Sequence, residues 1–349
     1  MTLRVLLAGL GVRGMHWAEV LHRSPRCEIA AYVDPNPAAV EHAADKYGDR
    51  PSFNNVGAAL AAVRGIDALV LANPPIGREA QVQAAAARGI PMLIEKPLAL
   101  SVREAVQLVE LAGDVPLMVG LNFRYLAVTH AVMSLLADAT VGQPEFARFT
   151  YERWRDGNRA NLNKYPLTMD QPMLWEQSIH HFDLMRYVYG LEPVLVECQT
   201  WNPSWSMYAS DANVAALFAF GRGSGASDLI VNYQGTWQSN WAQPNFEWRT
   251  ECSAGIITQR DQFGALAYAR RDDPALTDIS LPPHELWITE TEGLLNAFVD
   301  SVVHGAALQC SGRDHILSLA MVEACARSSR ERRAVTIQSI LDEGGFKSN

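Results

Sequence analysis

Glu176, His180 and Asp183 stand at i, i+4 and i+7 in the stretch Met173–Gly190, a spacing that puts all three on one face of a helix. Apolar residues at Ile179, Phe182, Met185, Tyr187 and Tyr189 suit a helix better than a strand there, and Gly190 is a C-terminal stop. A carboxylate one turn from an imidazole orients it and raises its basicity, and a second one turn further holds the ring's other nitrogen. That is how a general base working near neutral pH is built. A half-buried helix with a satisfied histidine and a surface acid has the same spacing, so the rest of the chain decides. Lys96 is the second residue with chemistry. It follows the apolar strand Pro91–Glu95 and precedes Pro97, which stops the strand. An ammonium emerging over a sheet edge donates to a substrate oxygen, stabilises a developing alkoxide or joins a proton relay.

Lys96 needs a platform, and the first third of the chain supplies one. Leu3 to Ala8 is an apolar strand, Gly9, Gly11 and Gly14 form a G-x-G-x-x-G turn around Val12 and Arg13, and a helix follows from about Arg13 to His22. Gly9 allows a tight turn, Gly11 a close approach to a pyrophosphate, and Gly14 close packing of helix on strand. A second strand, Cys27 to Asp34, ends in an acid 20 residues beyond the last glycine. An acid there accepts from a ribose 2′-hydroxyl and repels a 2′-phosphate, so NAD is expected rather than NADP, with Arg13 nearby as the opposing consideration. The alternation continues with helices over 37–47, 56–63, 78–88 and 101–111 and strands over 66–72, 91–95 and 116–119, which predicts a parallel, doubly wound sheet. Its C-terminal edge gathers the glycine turn, Asp34, Asn73-Pro74-Pro75, Glu95-Lys96-Pro97 and Gly120–Asn122.

Composition narrows the class. The chain has 349 residues, 48% of them apolar and 19% charged, a length that predicts two domains, divided here as 1–122 and 123–349. A net charge of −9 without a dense Lys/Arg run argues against nucleic acid or an anionic membrane as partner. The five cysteines form no C-x-x-C pair, and neither a disulfide framework nor a metal site is expected. No apolar run is long enough to span a bilayer, and the N-terminus enters a strand without a leader, so the expected location is cytoplasmic.

Beyond residue 122, a helix is expected over 126–137, a strand over 145–154, a polar loop over 156–171 that includes Asn161 and Tyr165, and then the helix that opened the argument. Six strands without intervening helices follow, over 194–200, 212–220, 227–236, 247–252, 255–259 and 265–270, with the turn Gly221–Gly223 among them. They predict an antiparallel sheet with one face on helices and the other available as a subunit interface. Trp201, Trp205, Trp237, Trp241 and Trp248 are dense in this part, as core, interface or sugar-stacking surfaces. Helices over 286–303 and 313–328 close the chain, the last with a basic cluster at Arg327, Arg330, Arg332 and Arg333 that suits a helix C-terminus.

Taken in order, Gly9–Gly14, Ala72–Pro75, Glu95–Pro97, Val119–Tyr125, the Glu176–Gly190 helix and Ser311–Asp314 resemble the Gfo/Idh/MocA oxidoreductase family, over nearly the whole chain. The resemblance implies an N-terminal Rossmann domain and a C-terminal α+β domain with a large, mostly antiparallel sheet. It also implies a catalytic lysine at Lys96, a histidine base at His180, and substrate-binding groups at Asn122, Arg124 and Asp183, with Tyr165 added from the loop. Glu176 stands where inositol dehydrogenase-like members carry an aspartate, Asn73 where a threonine is usual, and Arg78 where a histidine is common. Gly9, Gly11, Val12, Arg13, Gly14, Asp34, Asn73, Pro74, Glu95 and Lys96 are the expected cofactor contacts. The leading expectation is an NAD-dependent dehydrogenase of a secondary alcohol on a sugar, polyol or cyclitol, in which His180 takes the hydroxyl proton, Lys96 stabilises the oxygen and Glu176 assists. A homo-oligomer, dimer or tetramer, is expected through the C-terminal sheet. The alternatives are a redox-neutral, NAD-dependent glycosidase with Tyr165 or Tyr151 as auxiliary acid, and a dinucleotide-binding regulator, against which the retention of Lys96 and His180 counts.

Overall fold

Apolar runs bounded by glycine, proline and asparagine build the first elements. They are β1 (Leu3–Ala8), α1 (Val12–Arg23), β2 (Cys27–Val33), α2 (Pro37–Tyr47), β3 (Ser52–Phe53), α3 (Val56–Ala62), β4 (Ala68–Leu71), α4 (Glu79–Ala86), β5 (Met92–Ile94), α5 (Val102–Ala112) and β6 (Leu117–Val119). In this computed structural model, residues 2–160, 162–222 and 228–347 are described. The six strands form one parallel sheet in the order β3-β2-β1-β4-β5-β6. β4 and β5 are buried at every position, as befits strands covered on both faces. Asn36, Asn55 and Ser101 cap α2, α3 and α5 by accepting backbone N–H groups of the first turn. The strand order reverses between β1 and β4, which places the glycine turn after β1 beside the turn after β4.

After a 3-10 turn, Asn122–Tyr125, come α6 (Ala127–Ala137), β7 (Pro144–Glu152), a 3-10 turn at Tyr165–Leu167, a wide π-type turn at Met173–Ser178 and α7 (Ile179–Tyr189). The strands β8 (Glu192–Trp201), β9 (Asn213–Gly221), β10 (Leu229–Thr236), β11 (Asn245–Cys252), β12 (Gly255–Asp261), β13 (Gly264–Arg270) and β14 (Thr277–Asp278) follow, then α8 (Thr289–His304), α9 (Gly312–Glu331), β15 (Val335–Thr336) and α10 (Ile337–Gly344). The larger sheet runs β14-β13-β12-β11-β7-β10-β9-β8-β15 and is antiparallel except for the β7–β10 pair. Asn161, Gly223 and Ser227, named in the sequence reading, lie outside the described residues.

The chain divides into two compact units. The first comprises residues 1–122, 285–316 and 344–346; the second comprises 123–284, 317–343 and 347–349. α8 and the start of α9 thus belong to the first unit.

The core of the second unit lies between α7 and the inner face of its sheet. Phe182 meets Phe218 and Tyr233 edge-on at 4.8 and 4.9 Å, and Tyr189 takes a hydrogen bond from Trp248 at 2.8 Å. Trp237 and Trp248 are thus core residues, while Trp201, Trp205 and Trp241 are exposed. His181 is fully buried against Phe149 and Tyr151, at ring separations of 4.7 and 4.8 Å. Its Nδ1 lies 2.9 Å from the Tyr233 hydroxyl and its Nε2 3.1 Å from the Gln177 amide. Burial pushes its pKa down to about 3.

The neutral His181 carries a consequence for acid stability. Between about pH 6.5 and 3 the unfolded chain binds a proton there that the folded chain refuses, so stability falls as pH falls through that window. From pH 7 to pH 5 this amounts to about 2 kcal/mol. Urea unfolding at the two pH values should show His181→Gln losing less stability than the wild type by about that amount. Equal losses in the two proteins would show that another group governs the acid limb.

Candidate active site

The glycine turn of the first unit is closed to any side chain. A Cβ on Gly9, whose φ is +87°, would stand 2.7 Å from the Asn73 nitrogen, and one on Gly14 would stand 1.9 Å from the Gly9 carbonyl oxygen. Gly11 caps α1 without any side-chain hydrogen bond, and the Met15 N–H is the donor that returns to its carbonyl. The N–H groups of Val12, Arg13 and Gly14 therefore face outward from a helix N-terminus, an arrangement that holds phosphate. At the end of β2, Asp34 accepts from the N–H of Leu10 through Oδ2 at 2.7 Å and from the N–H of Asn36 through Oδ1 at 2.8 Å, which orients its carboxylate beside the glycine turn. The Asn73 Oδ1 is buried without a hydrogen-bond partner among the described residues. A glycine cradle, a free helix start, an oriented acid and an acceptor in want of a donor together fit a dinucleotide.

Arg13 does not face the ribose side of this edge. Its guanidinium donates to Glu95 Oε1 at 2.6 Å, approaches Thr291 at 3.3 Å and lies over the Trp17 ring at 5.3 Å. Glu95 also accepts from Trp17 Nε1 at 2.8 Å and is almost wholly buried, so its carboxylate fastens the end of β5 to α1. Burial, with Arg13 close by, lowers the pKa of His16 one turn further along α1. Asn122 is buried and donates to the buried Glu290 of α8 at 3.1 Å. Pro74 is exposed in the turn after β4.

Lys96 is half-buried on a turn that is held from two sides. The buried Arg78, at the start of α4, donates through Nη1 to the carbonyls of Glu95, Pro97 and Leu98 at 2.8, 2.6 and 3.0 Å, and through Nη2 to the carbonyl of Asn73 at 2.6 Å. From the opposite side, the Leu98 N–H donates to Nε2 of the fully buried His315 at 3.2 Å. The Lys96–Pro97 peptide is cis. One guanidinium thus joins the turn after β4 to the turn that carries Lys96. Sequence reasoning registered Arg78 only as a departure from a familiar pattern.

In the second unit, His180 is 8% exposed on α7, with Phe123 stacked on its ring at 4.3 Å and an interplanar angle of 25°. Phe123 in turn meets Phe263 edge-on at 6.1 Å, and Phe263 stacks on His284 at 5.2 Å. Of the three residues expected on one helical face, His180 and Asp183 lie on α7 and Glu176 on the turn before it. Glu176 lies on the π-type turn, whose wider pitch shifts it relative to α7. Asp183 is turned onto Arg124 in a buried bidentate pair at 2.6 and 2.7 Å, accepts from Ser318 at 2.8 Å, and has Arg186 at 3.9 Å. Both of its oxygens are engaged there. Tyr165 is half-buried at the head of its 3-10 turn. The loop around it is tied down by Lys164 on the carbonyls of Gly157 and Arg159 and by Gln171 on Ser210. Among the described residues no three His, Cys, Asp or Glu side chains gather where a metal ion would sit, and no helix is long and apolar enough to cross a membrane.

Comparison with known proteins accords with this geometry. Residues 3–123 match an oxidoreductase family with an NAD-binding Rossmann fold, and residues 129–258 match the GFO/IDH/MocA C-terminal domain. The inositol 2-dehydrogenase of Rhizobium meliloti (strain 1021) is 26% identical over 97% of this chain and 100% of its own. A D-apiose dehydrogenase of Rhizobium rhizogenes is 24% identical over 90% of this chain and 91% of its own. In fold, the chain is similar to an oxidoreductase from Agrobacterium radiobacter solved with NAD+, L-tartaric acid and magnesium, with a TM-score of 0.87 and 22% identity over 98% of this chain and 100% of that one. A myo-inositol 2-dehydrogenase from Lactobacillus plantarum gives a TM-score of 0.81 and 20% identity over 97% of this chain and 100% of that one.

Removing Arg78 strips donors from four carbonyls at once. Arg78→Ala should lower the unfolding free energy by about 3–5 kcal/mol, and Arg78→Lys, which keeps a charge but not the fork, should recover part of it. Chemical denaturation of the three proteins reads this directly. A loss below about 1 kcal/mol in the alanine variant would mean that water replaces the guanidinium at little cost.

Proposed function

The chain belongs to the GFO/IDH/MocA family of NAD-binding oxidoreductases, and on that premise we propose that it is a dehydrogenase of a secondary alcohol on a sugar, polyol or cyclitol. NAD, held by the Gly9–Gly14 turn, Asp34 and the Asn73 and Pro74 edge, supplies the hydride acceptor. The protein's task is to hold the alcohol and move its proton. His180 takes the hydroxyl proton, which its restrained ring orientation favours, and Lys96 donates to the same oxygen as charge develops on it. Glu176 assists His180, and Tyr165 and Asn122 contribute polar contacts to the substrate. Arg124 and Asp183 hold α7 in place through their ion pair and act as positioning residues. The observation that carries this reading is the Lys96 turn, a lysine at the C-terminal edge of a dinucleotide-binding sheet whose backbone is fixed through Arg78.

The relatives support the substrate class, since inositol 2-dehydrogenases and D-apiose dehydrogenases both act on polyhydroxylated carbon. The outer face of the large sheet supports self-association. Phe146 and Ile230, 57% and 39% exposed, are cross-strand partners, and Leu217 on the adjoining strand is 46% exposed. An apolar centre of this kind, rimmed by pairs such as Arg148–Glu247, suits a contact between two copies.

Two measurements test the proposal. NADH formation with purified protein and a panel of aldoses, polyols and cyclitols should identify a substrate. On it Lys96→Ala and His180→Ala should each lower kcat by about 10²- to 10⁴-fold while NAD binding stays within a few-fold of wild type. An unchanged kcat in either variant removes that residue from the chemistry. Light scattering should report a homo-oligomer that Ile230→Glu shifts toward the monomer; an unaltered mass would place the interface elsewhere.

A further inference from the structure

A second polar cluster in the second unit is absorbed by none of these roles. β7 alternates, with Ala147, Phe149 and Tyr151 turned to the helix side, and the chain continues this parity through Arg153 and Arg155. Both arginines are half-buried, and neither forms an ion pair with a carboxylate among the described residues. Arg153 reaches the Tyr151 hydroxyl at a long 3.4 Å. Arg155 donates to the Tyr208 hydroxyl at 2.8 Å and lies over the Trp237 ring at 4.3 Å from its centre. Trp237 is 3% exposed, and its Nε1–H lies by the Tyr151 hydroxyl without reaching hydrogen-bond geometry, so this buried donor has no acceptor among the described residues. Burial raises the pKa of Tyr151 and Tyr208, and both guanidiniums oppose that rise at each phenol, so the four groups share one neighbourhood. Of the two acids that flank the pair in sequence, Glu152 accepts from Asn245 Nδ2 at 2.9 Å and Asp156 spends Oδ1 on the N–H of Asn158.

Two adjacent guanidiniums repel each other, and partial burial without a carboxylate partner costs stability. A buried indole N–H without an acceptor adds to that cost. All three deficits are cancelled by one ligand group, an anion with in-plane oxygens that fit an arginine fork. The cluster reaches the turn that carries Glu176. The Tyr151 hydroxyl lies 3.4 Å from Oε1 of Gln177, the residue after Glu176 on the π-type turn that leads into the helix of His180.

We infer that Arg153 and Arg155, with Trp237 Nε1 beside them, form a carboxylate subsite, and that the substrate is a sugar acid rather than a neutral sugar or polyol. The inference rests on the dehydrogenase reading and sharpens it: the carboxylate anchors one end of the substrate, and a hydroxyl further along its chain or ring is oxidised. Rim charges of this kind set which substrate is selected and leave cofactor binding alone.

The test uses the NAD-loaded protein and matched probes: D-glucose, sorbitol and myo-inositol as neutral compounds, D-gluconate and D-glucuronate as acids, and glucose 6-phosphate as an anion of different shape. Binding is read from quenching of tryptophan fluorescence and from thermal shift, turnover from NADH. The expected result is that at least one acid binds at least about 10-fold more tightly than every neutral probe. Arg153→Gln should weaken that binding by about 10- to 100-fold, Arg153→Lys should restore part of it, and NAD affinity should not change. Where turnover is seen, the loss in Arg153→Gln should fall on KM more than on kcat. Neutral probes binding as well as the acids would overturn the inference, as would acid binding that survives in Arg153→Gln/Arg155→Gln. A preference for the phosphate ester would overturn the carboxylate assignment. Acid binding without NADH formation on any probe would support the subsite while counting against the dehydrogenase reading, so the two fail separately.

Discussion

The buried guanidinium of Arg78 is the constraint on which the reactive edge of the first unit depends. Strand ends at the C-terminal edge of a parallel sheet expose carbonyls that the sheet no longer satisfies, and a buried carbonyl without a donor is costly. Four such carbonyls, of Asn73, Glu95, Pro97 and Leu98, converge on one planar cation. A guanidinium can serve four acceptors because its five donors lie fixed in a plane, where a lysine would offer three from a point. The outcome is a Lys96 whose backbone cannot drift relative to the turn after β4. His315 closes the remaining side, and because Leu98 supplies the proton, Nε2 of that ring must carry its lone pair. The same economy operates at Glu95, where one carboxylate serves Arg13 and Trp17 and so keeps the glycine helix and the lysine turn in register.

The second unit meets the corresponding problem with side chains. α7 is buried nearly all round, including His180, His181, Asp183 and Arg186, so each polar group on it must find a partner inside. Asp183 is neutralised by Arg124 with Ser318 as a third contact, and Arg186 reaches out to Glu192 through two hydrogen bonds. The two adjacent histidines have separate fates because successive helix positions are about 100° apart. His181 faces the sheet and becomes part of its core, while His180 faces Phe123.

How much of this was legible in the sequence divides along the same line. The parallel sheet, its glycine turn and the placing of Asp34 and Lys96 were readable because backbone demands leave residue-type signatures: no other residue tolerates the 1.9 Å approach at Gly14. The antiparallel character of the larger sheet was readable from strands without intervening helices, although the single parallel pair, β7 with β10, leaves no local mark. The Arg124–Asp183 pair was not readable, since its members are 59 residues apart and periodicity reports only near neighbours. The π-type turn was also hidden, because one helical period was assumed through Met173–Ser178. Arg78 stood in plain view, but its burial is a property of the two turns around it and not of the segment that carries it.

Strand parity explains why one set of residues can serve both core and site. Along β7 the inward positions run from Phe149, packed on His181, to Tyr151, hydrogen-bonded to Gln177, and the chain then continues to Arg153 and Arg155. The pairing of Phe149 with Trp248 on one side and Tyr233 on the other fixes that parity, since a slip of one residue would turn every inward side chain outward. The aromatic core therefore does more than stabilise the sheet. It sets the face on which the cationic residues beyond its end emerge, so a substitution at Phe149 acts on polar groups several residues away by loosening register, without touching them. Polar specificity in this unit is in that sense an extension of its hydrophobic packing, which is why the residues that select a ligand here are recognised from structure rather than from a motif.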